Sequence, residues 1–155
     1  MRGEERVTAA YASWLERDGW TVAREVEFAD VYAERGEEKL YAAAADLPRA
    51  RAFYQQKLGL RMVEQNDFAC VFDANGTMLR VTAVPKVSQA GYTVLGWRVT
   101  DTEATVRGLM AEGVVFNRCD GMDQDENGVW TTPAGEQVAW FADPDGNTLS
   151  LTQFR

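Results

Sequence analysis

The chain has 155 residues, of which 46% are hydrophobic and 26% are charged, a size and composition that suit one ordinary domain or two small ones. With 24 acidic side chains against 16 basic ones the net charge is −8, so nucleic acid and anionic membrane surfaces are not expected partners. Histidine is absent, which excludes Ser-His-Asp and Cys-His catalysis and every metal site that needs an imidazole.

The opening sequence, MRGEERVTAA, carries acids where a signal peptide requires a basic region followed by an apolar one. No later run approaches the ~18 consecutive apolar residues of a membrane span. We therefore expect a cytoplasmic protein. Cys70 and Cys119 are too few for a four-cysteine metal site and are expected to be free thiols in that reducing compartment.

Residues 1–37 are predicted to form an N-terminal extension made of a helix and a strand. Apolar residues between Val7 and Leu15 recur at helical spacing, and Gly19 marks the end of that helix. The following segment, TVAREVEF from Thr21, alternates like a half-exposed strand. An ERGEE turn then returns the chain to Lys39, so the extension is expected to enlarge the first sheet or to cover one of its edges.

The rest of the chain contains an internal repeat. DLPRARAFYQQKLGLRMV, which begins at Asp46, matches DTEATVRGLMAEGVVFNR, which begins at Asp101. Each copy has an acid that can cap a helix, an apolar stripe at helical spacing, a glycine at the predicted helix end, and an apolar strand. The two glycines are Gly59 and Gly113.

Both copies also begin and end alike. A strand precedes each acid, KLYAAAA in the first copy and YTVLGWRV in the second, and each copy closes with a turn, DANG or DPDG, followed by a strand. The second copy is longer between its acid and its turn, which predicts a long loop over residues 118–132. The predicted fold class is α+β: two βαβββ modules, residues 38–84 and 92–155, form a cup-shaped sheet and are joined by a linker over 85–91.

The motifs LPRARAFYQQKLGL, GTMLRV, TVLGWRVTD and VAWFADPDGNTLSL resemble the vicinal oxygen chelate superfamily of glyoxalases, bleomycin-resistance proteins and extradiol dioxygenases, over residues 38–155. The resemblance implies a cup that is often completed by homodimerisation. In metal-using members it implies a divalent ion held by His, Glu or Gln. Residues 5–45 also faintly resemble restriction-endonuclease-like domains, but the expected Glu-x-Lys falls among the alanines of KLYAAAA, which argues against nuclease chemistry.

Carried over residue by residue, the family's metal-ligand positions are Lys39, Arg80, Val94 and Ser150. These side chains are not usual metal ligands at neutral pH, so no metal and no other cofactor is expected. The predicted function is metal-free binding of a small ligand, without an assigned catalytic residue. Two alternatives stay open: a metal-dependent lyase, isomerase or dioxygenase that uses ligands such as Glu64, Glu136 or Gln137, and a protein-interaction module.

Alternation along the strands predicts which side chains line the cup. Three cations, Lys39, Arg80 and Arg98, would share it and would need an anion, which favours an acidic ligand. Alternatively they pair with Glu25, Glu27 or Glu64, or reach into solvent. Four aromatic residues could stack on a planar ligand: Tyr54, Trp97, Trp130 and Trp140. The predicted ligand-binding set is Lys39, Tyr41, Tyr54, Met78, Arg80, Arg98, Trp130 and Ser150.

The long loop of the second module carries a partial calcium-binding pattern. Residues 123–128, DQDENG, match the first half of an EF-hand loop, but Ala134 stands where the bidentate Glu is required. A solvated acidic lid is the alternative interpretation.

Overall fold

The structure, a computed structural model, describes residues 32–34, 37–74 and 76–155, and for residues 32–34 and 37–39 it describes the backbone alone. The helix and strand predicted for the N-terminal extension lie outside the described residues, as do Glu25 and Glu27. The described chain forms two sheets with helices between their strands.

The first sheet contains five strands in the order β1-β2-β5-β4-β3. Strand β2 runs parallel to β5, and the other pairs are antiparallel. Its elements are β1 (Tyr32–Glu34), β2 (Glu37–Ala44), α1 (Leu47–Arg51), which continues as a π-helix (Ala52–Lys57), β3 (Arg61–Gln65), β4 (Ala69–Ala74) and β5 (Thr77–Ala83). Strand β1 enlarges the sheet at its β2 edge, one of the two arrangements expected for the chain before Lys39.

The second sheet contains four strands in the order β6-β9-β8-β7. Its elements are β6 (Thr93–Arg98), α2 (Thr102–Ala111), β7 (Trp130–Thr131), β8 (Gln137–Ala142) and β9 (Thr148–Gln153). Strands β6 and β9 are parallel and the other pairs antiparallel, which repeats the β2-β5-β4-β3 order of the first sheet. The predicted α+β fold of two βαβββ modules is confirmed.

The helix boundaries follow from local capping. The Asp46 carboxylate accepts a hydrogen bond from the Arg49 N–H at 3.1 Å, and the Asp101 carboxylate accepts one from the Ala104 N–H at 2.8 Å. Each bond satisfies one of the free N–H groups at a helix start. After α2 the chain turns at Gly113, whose φ of 84° is disfavoured for residues with a Cβ.

The strand predicted from VVFNR was wrong for most of its length. Phe116 forms a single bridge with Phe141 on β8, and the Asn117 N–H donates to the Trp140 carbonyl at 2.7 Å. Residues 118–129 then leave the sheet. The chain rejoins it as β7, which pairs with β8. The edge strand of this sheet, next to β8, is therefore interrupted by the excursion of residues 118–129. This excursion accounts for the extra length of the second repeat.

Both sheets pack on one hydrophobic core. Alternate strand residues, such as Leu79 and Val81 in β5 and Leu149 and Leu151 in β9, point into it. Phe53, from the π-helix, lies 6.3 Å from the ring of Phe141 on the second sheet, so the modules share this core. No helix within the described ranges has the length and apolar character needed to cross a membrane.

Candidate functional site

We call the faces of the two sheets that point away from the shared core their distal faces. On the first sheet this face carries three of the predicted binding residues, Tyr41, Met78 and Arg80. Tyr41 stands directly opposite Arg80, and Lys39 stands opposite Met78. The backbone register therefore agrees with the alternation of side chains along β2 and β5 from which these residues were predicted to share one face. The Lys39 side chain lies outside the part of the structure that is described.

Arg80 is a partly buried cation with neighbouring carboxylates that are engaged elsewhere. The nearby Asp73, which faces Met78, accepts hydrogen bonds from the Gly76 N–H at 2.7 Å and from Arg61 at 3.0 Å. Both bonds lower the pKa of Asp73, because they favour its ionised form. Glu64 accepts from the Asn66 amide at 3.1 Å.

Within the described part of the chain, Arg80 forms no ion pair or hydrogen bond. Its predicted alternative pairing with Glu64 is therefore not observed, and the pairings with Glu25 and Glu27 involve residues outside the described ones. A guanidinium that is partly withdrawn from water and lacks a counter-ion can accept an anionic ligand at low desolvation cost to the protein.

On the second sheet, the distal face carries two stacked indoles. Trp140 donates a hydrogen bond from Nε1 to Thr93 Oγ1 at 3.1 Å, which holds its ring across the sheet. Trp130, on the neighbouring strand, lies 6.2 Å from it with an interplanar angle of 28°. Ser150 lies between Trp140 and Gly96 in the same register row. The two indoles, Trp130 and Trp140, form a partly buried aromatic surface that suits a planar ligand.

Gly96 is needed beside that surface. A Cβ at this position would lie 2.6 Å from Ser150 Oγ, closer than a Cβ approaches an atom to which it is not bonded. The absence of a side chain at Gly96 therefore leaves space for the Ser150 hydroxyl close to the backbone of β6. Ser150 itself is 7% exposed, so it contributes a small polar patch beneath the indoles.

Arg98 and Trp97 lie on opposite faces of β6, with Arg98 on the face of Gly96. Arg98 is exposed, and its guanidinium carbon lies 5.7 Å from the ring centre of Phe154, a cation–π contact. It belongs to the second sheet and Arg80 to the first, and no described contact joins them. Trp97 packs on the core side, stacked 6.4 Å from Phe141.

Tyr54 does not reach either distal face. Its side chain is fully buried in the core, and its hydroxyl donates to Asp143 Oδ2 at 2.7 Å. The expectation that Tyr54 contacts a ligand is corrected by this placement, since the helical stripe that contains it faces the other module. Burial, reinforced by Asp143, raises the pKa of Tyr54 well above its ordinary value, so the phenol stays protonated.

Sequence reasoning missed the role of the DPDGN turn that begins at Asp143. Asp143 Oδ2 also accepts from the Asn147 amide at 2.7 Å, and that amide donates to the Ala43 carbonyl on the first sheet at 2.9 Å. Asp145 accepts from the Ala45 N–H at 3.0 Å. The motif predicted a turn, but the short polar residues in it gave no sign that they are buried between the modules.

The two cysteines are free, as expected. Burial raises the pKa of the Cys70 thiol, which keeps it in the unreactive protonated form. Cys70 is therefore a small core residue.

Comparison with known proteins decides the family. The family model of the Glyoxalase/Bleomycin resistance protein/Dioxygenase superfamily matches residues 39–151, which is most of the chain. The chain belongs to this superfamily. Its topology agrees with that assignment, because each module has the same strand order. No curated protein matches the sequence at a significant level.

Solved structures of the glyoxalase superfamily share the fold. A glyoxalase family protein from Bacillus anthracis is 16% identical, with a TM-score of 0.62 over 80% of this chain and 98% of its own. Lactoylglutathione lyase from Agrobacterium tumefaciens is 17% identical, with a TM-score of 0.61 over 79% of this chain and 96% of its own.

A bleomycin resistance determinant encoded on the transposon Tn5 is also similar. It is 20% identical, with a TM-score of 0.59 over 76% of this chain and 96% of its own. These identities are low, so the likeness establishes a common architecture and leaves the activity to be argued from the site.

At the positions that the family resemblance assigns to metal ligands, the residues of this chain do not suit a metal ion. Arg80 offers only N–H donors, Ser150 offers a neutral hydroxyl, and Val94, at a bulge in β6, packs against the core. Within residues 32–34, 37–74 and 76–155, no three His, Cys, Asp or Glu side chains are placed to hold a metal ion.

The calcium-like loop is held together by hydrogen bonds among its own groups. Asp125 Oδ1 accepts hydrogen bonds from the N–H groups of Asn127 and Val129, both at 2.9 Å. The Arg118 guanidinium donates to the carbonyl oxygens of Asp125 and Glu126. The backbone oxygen that an EF-hand loop offers at its seventh position, here that of Val129, accepts a hydrogen bond from the Asp125 N–H at 2.9 Å.

Proposed function

We propose that this glyoxalase-superfamily protein binds a small organic anion with a planar aromatic part and does so without metal chemistry. The observation that carries the proposal is Arg80, a partly buried guanidinium without a described counter-ion. A carboxylate or sulfonate on the ligand would supply the missing charge through bidentate hydrogen bonds.

The aromatic part of the ligand is inferred from the second sheet. Since the two distal faces point away from one core, a single ligand would touch both faces only where two subunits meet, so this part of the proposal requires the homodimer proposed below. The Trp130–Trp140 pair presents indole surface that is partly open, and Thr93 and Ser150 lie beside it as neutral polar groups. Indole faces favour flat ligands because stacking adds to the burial of apolar area. Lys39, Tyr41, Met78 and Arg98 are proposed to complete the ligand contacts.

Binding of 2-naphthoate to untagged protein, followed by calorimetry, tests the charge requirement. Changing Arg80→Gln should weaken naphthoate binding by roughly 10- to 100-fold, the equivalent of one lost charge-assisted hydrogen bond. Binding of the neutral 2-naphthamide should change little. Arg107→Gln, on the exposed side of α2, is the matched control because Arg107 is 61% exposed and remote in the fold.

Equal naphthoate affinity in wild type and Arg80→Gln would place the anion site elsewhere and overturn the proposal. Cyclohexanecarboxylate tests the aromatic requirement, since it keeps the charge and removes the flat face. We expect it to bind more weakly than naphthoate. Binding that is equally tight would show that the indole pair is not used.

Elemental mass spectrometry tests the metal-free part of the proposal. Untagged protein grown with manganese, iron, nickel and zinc available should contain well below one ion per chain. About one ion per chain or per dimer would contradict it and would favour a metal-dependent glyoxalase-like enzyme.

We also propose that the protein acts as a homodimer in the cytoplasm. The hairpin between β3 and β4 exposes apolar side chains, with Phe68 72% and Val63 49% exposed, which a second copy would cover. Sedimentation velocity should show a dimer that Phe68→Ser weakens. A wild-type protein that remains monomeric at high concentration would refute this assembly.

A further inference from the structure

The excursion of residues 118–129 controls where the chain returns to the second sheet. It leaves after Asn117, which is bonded to Trp140, and rejoins at Trp130, which pairs with Val138. Trp140 sits within a regular strand and is tied to Thr93, so its position is set by the sheet. Trp130 is the first residue after the excursion, so its position depends on how that loop is closed.

One side chain closes the excursion. The Gln124 amide Nε2 donates to the carbonyls of Asn117 at 3.0 Å and Gly128 at 2.8 Å, while its Oε1 accepts from the Cys119 N–H at 2.7 Å. These bonds tie the beginning of the loop to its end. Gln124 also forms a backbone bridge with Trp130 itself.

Arg118 fixes the tip of the same loop. Its guanidinium donates to the carbonyl oxygens of Asp125 and Glu126, which turns these groups inward. The return against the edge strand requires Gly128, whose φ is 85° and where a Cβ would lie 3.3 Å from Phe116 Cβ. The loop thus has little freedom to change the backbone that leads into Trp130.

We propose that Gln124 and Arg118 are positioning residues that set the Trp130 indole against Trp140 and thereby determine which flat ligands the face accepts. The part that concerns ligands rests on the proposed function, whereas the part that concerns the indole pair does not. The loop serves as an internal brace, in which the Asp125 carboxylate accepts backbone hydrogen bonds while Asp123 and Glu126 are exposed.

Circular dichroism tests the positioning without any ligand. Two indoles stacked at close range couple their transitions, and the difference between wild type and Trp130→Phe isolates that coupled signal. The coupled signal of Gln124→Ala is the corresponding difference between Gln124→Ala and Gln124→Ala/Trp130→Phe. It should be less than half of the coupled signal measured in the wild-type background. Gln56→Ala, an exposed glutamine on the π-helix, is the control and should keep the full signal.

A coupled signal that is unchanged in Gln124→Ala would overturn the proposal. If this variant does not fold, Gln124→Glu takes its place, because it keeps an acceptor for the Cys119 N–H and loses both donated bonds. Arg118→Lys should reduce the signal less than Gln124→Ala, since a lysine can reach one carbonyl but not two. An Arg118→Lys signal equal to wild type would remove Arg118 from the role.

Naphthoate binding then separates this inference from the function. If the coupled signal falls and naphthoate affinity falls with it, both proposals stand. If the signal falls while wild-type protein shows no naphthoate binding, the positioning role stands and the proposed ligand class is wrong. An unchanged signal refutes the positioning role whatever naphthoate does.

Discussion

At the scale of single residues, one buried hydrogen bond joins the two modules. Tyr54 and Asp143 meet at 2.7 Å inside the core, and Asp143 is only 5% exposed. Burial raises the pKa of Asp143, although hydrogen bonds from Asn147 and Tyr54 act in the opposite direction. The two donors therefore limit the cost of an ionised carboxylate in this place.

The pH dependence of stability follows from that raised pKa. The native state keeps the Asp143 proton to a higher pH than the unfolded chain does, so native and unfolded states differ in bound protons above about pH 4. The contribution of Asp143 to stability is greatest at low pH and falls as the pH rises through its native pKa. The Tyr54 hydroxyl reduces this fall, because it favours the ionised form.

Changing Tyr54→Phe should therefore destabilise the protein more at neutral pH than in acid. We expect a loss of about 1 kcal/mol near pH 4, growing to about 2 kcal/mol near pH 8, in line with bonds to neutral and charged acceptors. Urea unfolding at a series of pH values measures the difference. Tyr92→Phe, at an exposed phenol just before β6, is the control and should change little at any pH. A loss for Tyr54→Phe that is independent of pH would show that Asp143 does not change its protonation state between pH 4 and pH 8.

Residue-scale prediction from the sequence succeeded where the period of a strand decides the answer. Tyr41 and Arg80 share a distal face because side chains alternate along β2 and β5. It failed at Tyr54, whose polar end meets a carboxylate 89 residues away. Periodicity assigns a residue to a face, but it does not say what the opposite module places there.

At the scale of elements, two glycines of the second module have opposite roles. Gly108 lies within α2, where a Cβ would meet nothing within 4 Å. Gly113 follows α2 with a φ of 84°, a conformation that costs a residue with a Cβ roughly 1–2 kcal/mol. One glycine weakens its helix, and the other allows the chain to leave it.

Alanine substitutions at these two sites should therefore act in opposite directions. Gly108→Ala should raise the free energy of unfolding by about 0.5–1 kcal/mol, because alanine loses less backbone entropy in a helix. Gly113→Ala should lower it by about 1 kcal/mol or more, through backbone strain. Thermal and urea unfolding of the two variants beside wild type measures both effects. A Gly108→Ala variant no more stable than wild type would indicate strain in α2 that its geometry does not reveal.

Sequence patterns predicted helices and central strands better than the edge strand. Asp46 and Asp101 mark both helix starts, and the repeat correctly located β2, β5, β6 and β9. The VVFNR segment has the composition of a strand, yet Val115 is 80% exposed and the chain leaves the sheet after Asn117. Side chains within the excursion satisfy its backbone groups, and such local bonds compete with a sheet without leaving a periodic signal.

At the scale of the whole molecule, the modules are joined by apolar and polar contacts at the same junction. Phe53 from the first module packs on Phe141 from the second, and Asn147 donates to Ala43 on the first sheet and to Asp143 within its own turn. Since one core serves both sheets, the two modules should unfold together. The repeat in the sequence shows two similar units, but it carries no information about this shared core.

Changing Asn147→Ala should destabilise the entire molecule rather than the second module alone. The variant leaves the Ala43 carbonyl without a buried donor and leaves Asp143 Oδ2 with the Tyr54 hydroxyl alone, which should cost about 1–3 kcal/mol in total. With Trp14 and Trp20 changed to Phe, tryptophan fluorescence reports the three indoles of the second module, Trp97, Trp130 and Trp140. This fluorescence and far-UV circular dichroism should still show one coincident transition, shifted to lower urea, because the Phe53–Phe141 contact remains. Asn127→Ala, at a loop side chain without a described hydrogen bond, should leave that transition where it is in wild type. Transitions that separate in Asn147→Ala would mean that the polar junction, and not the shared apolar core, makes the two modules one cooperative unit.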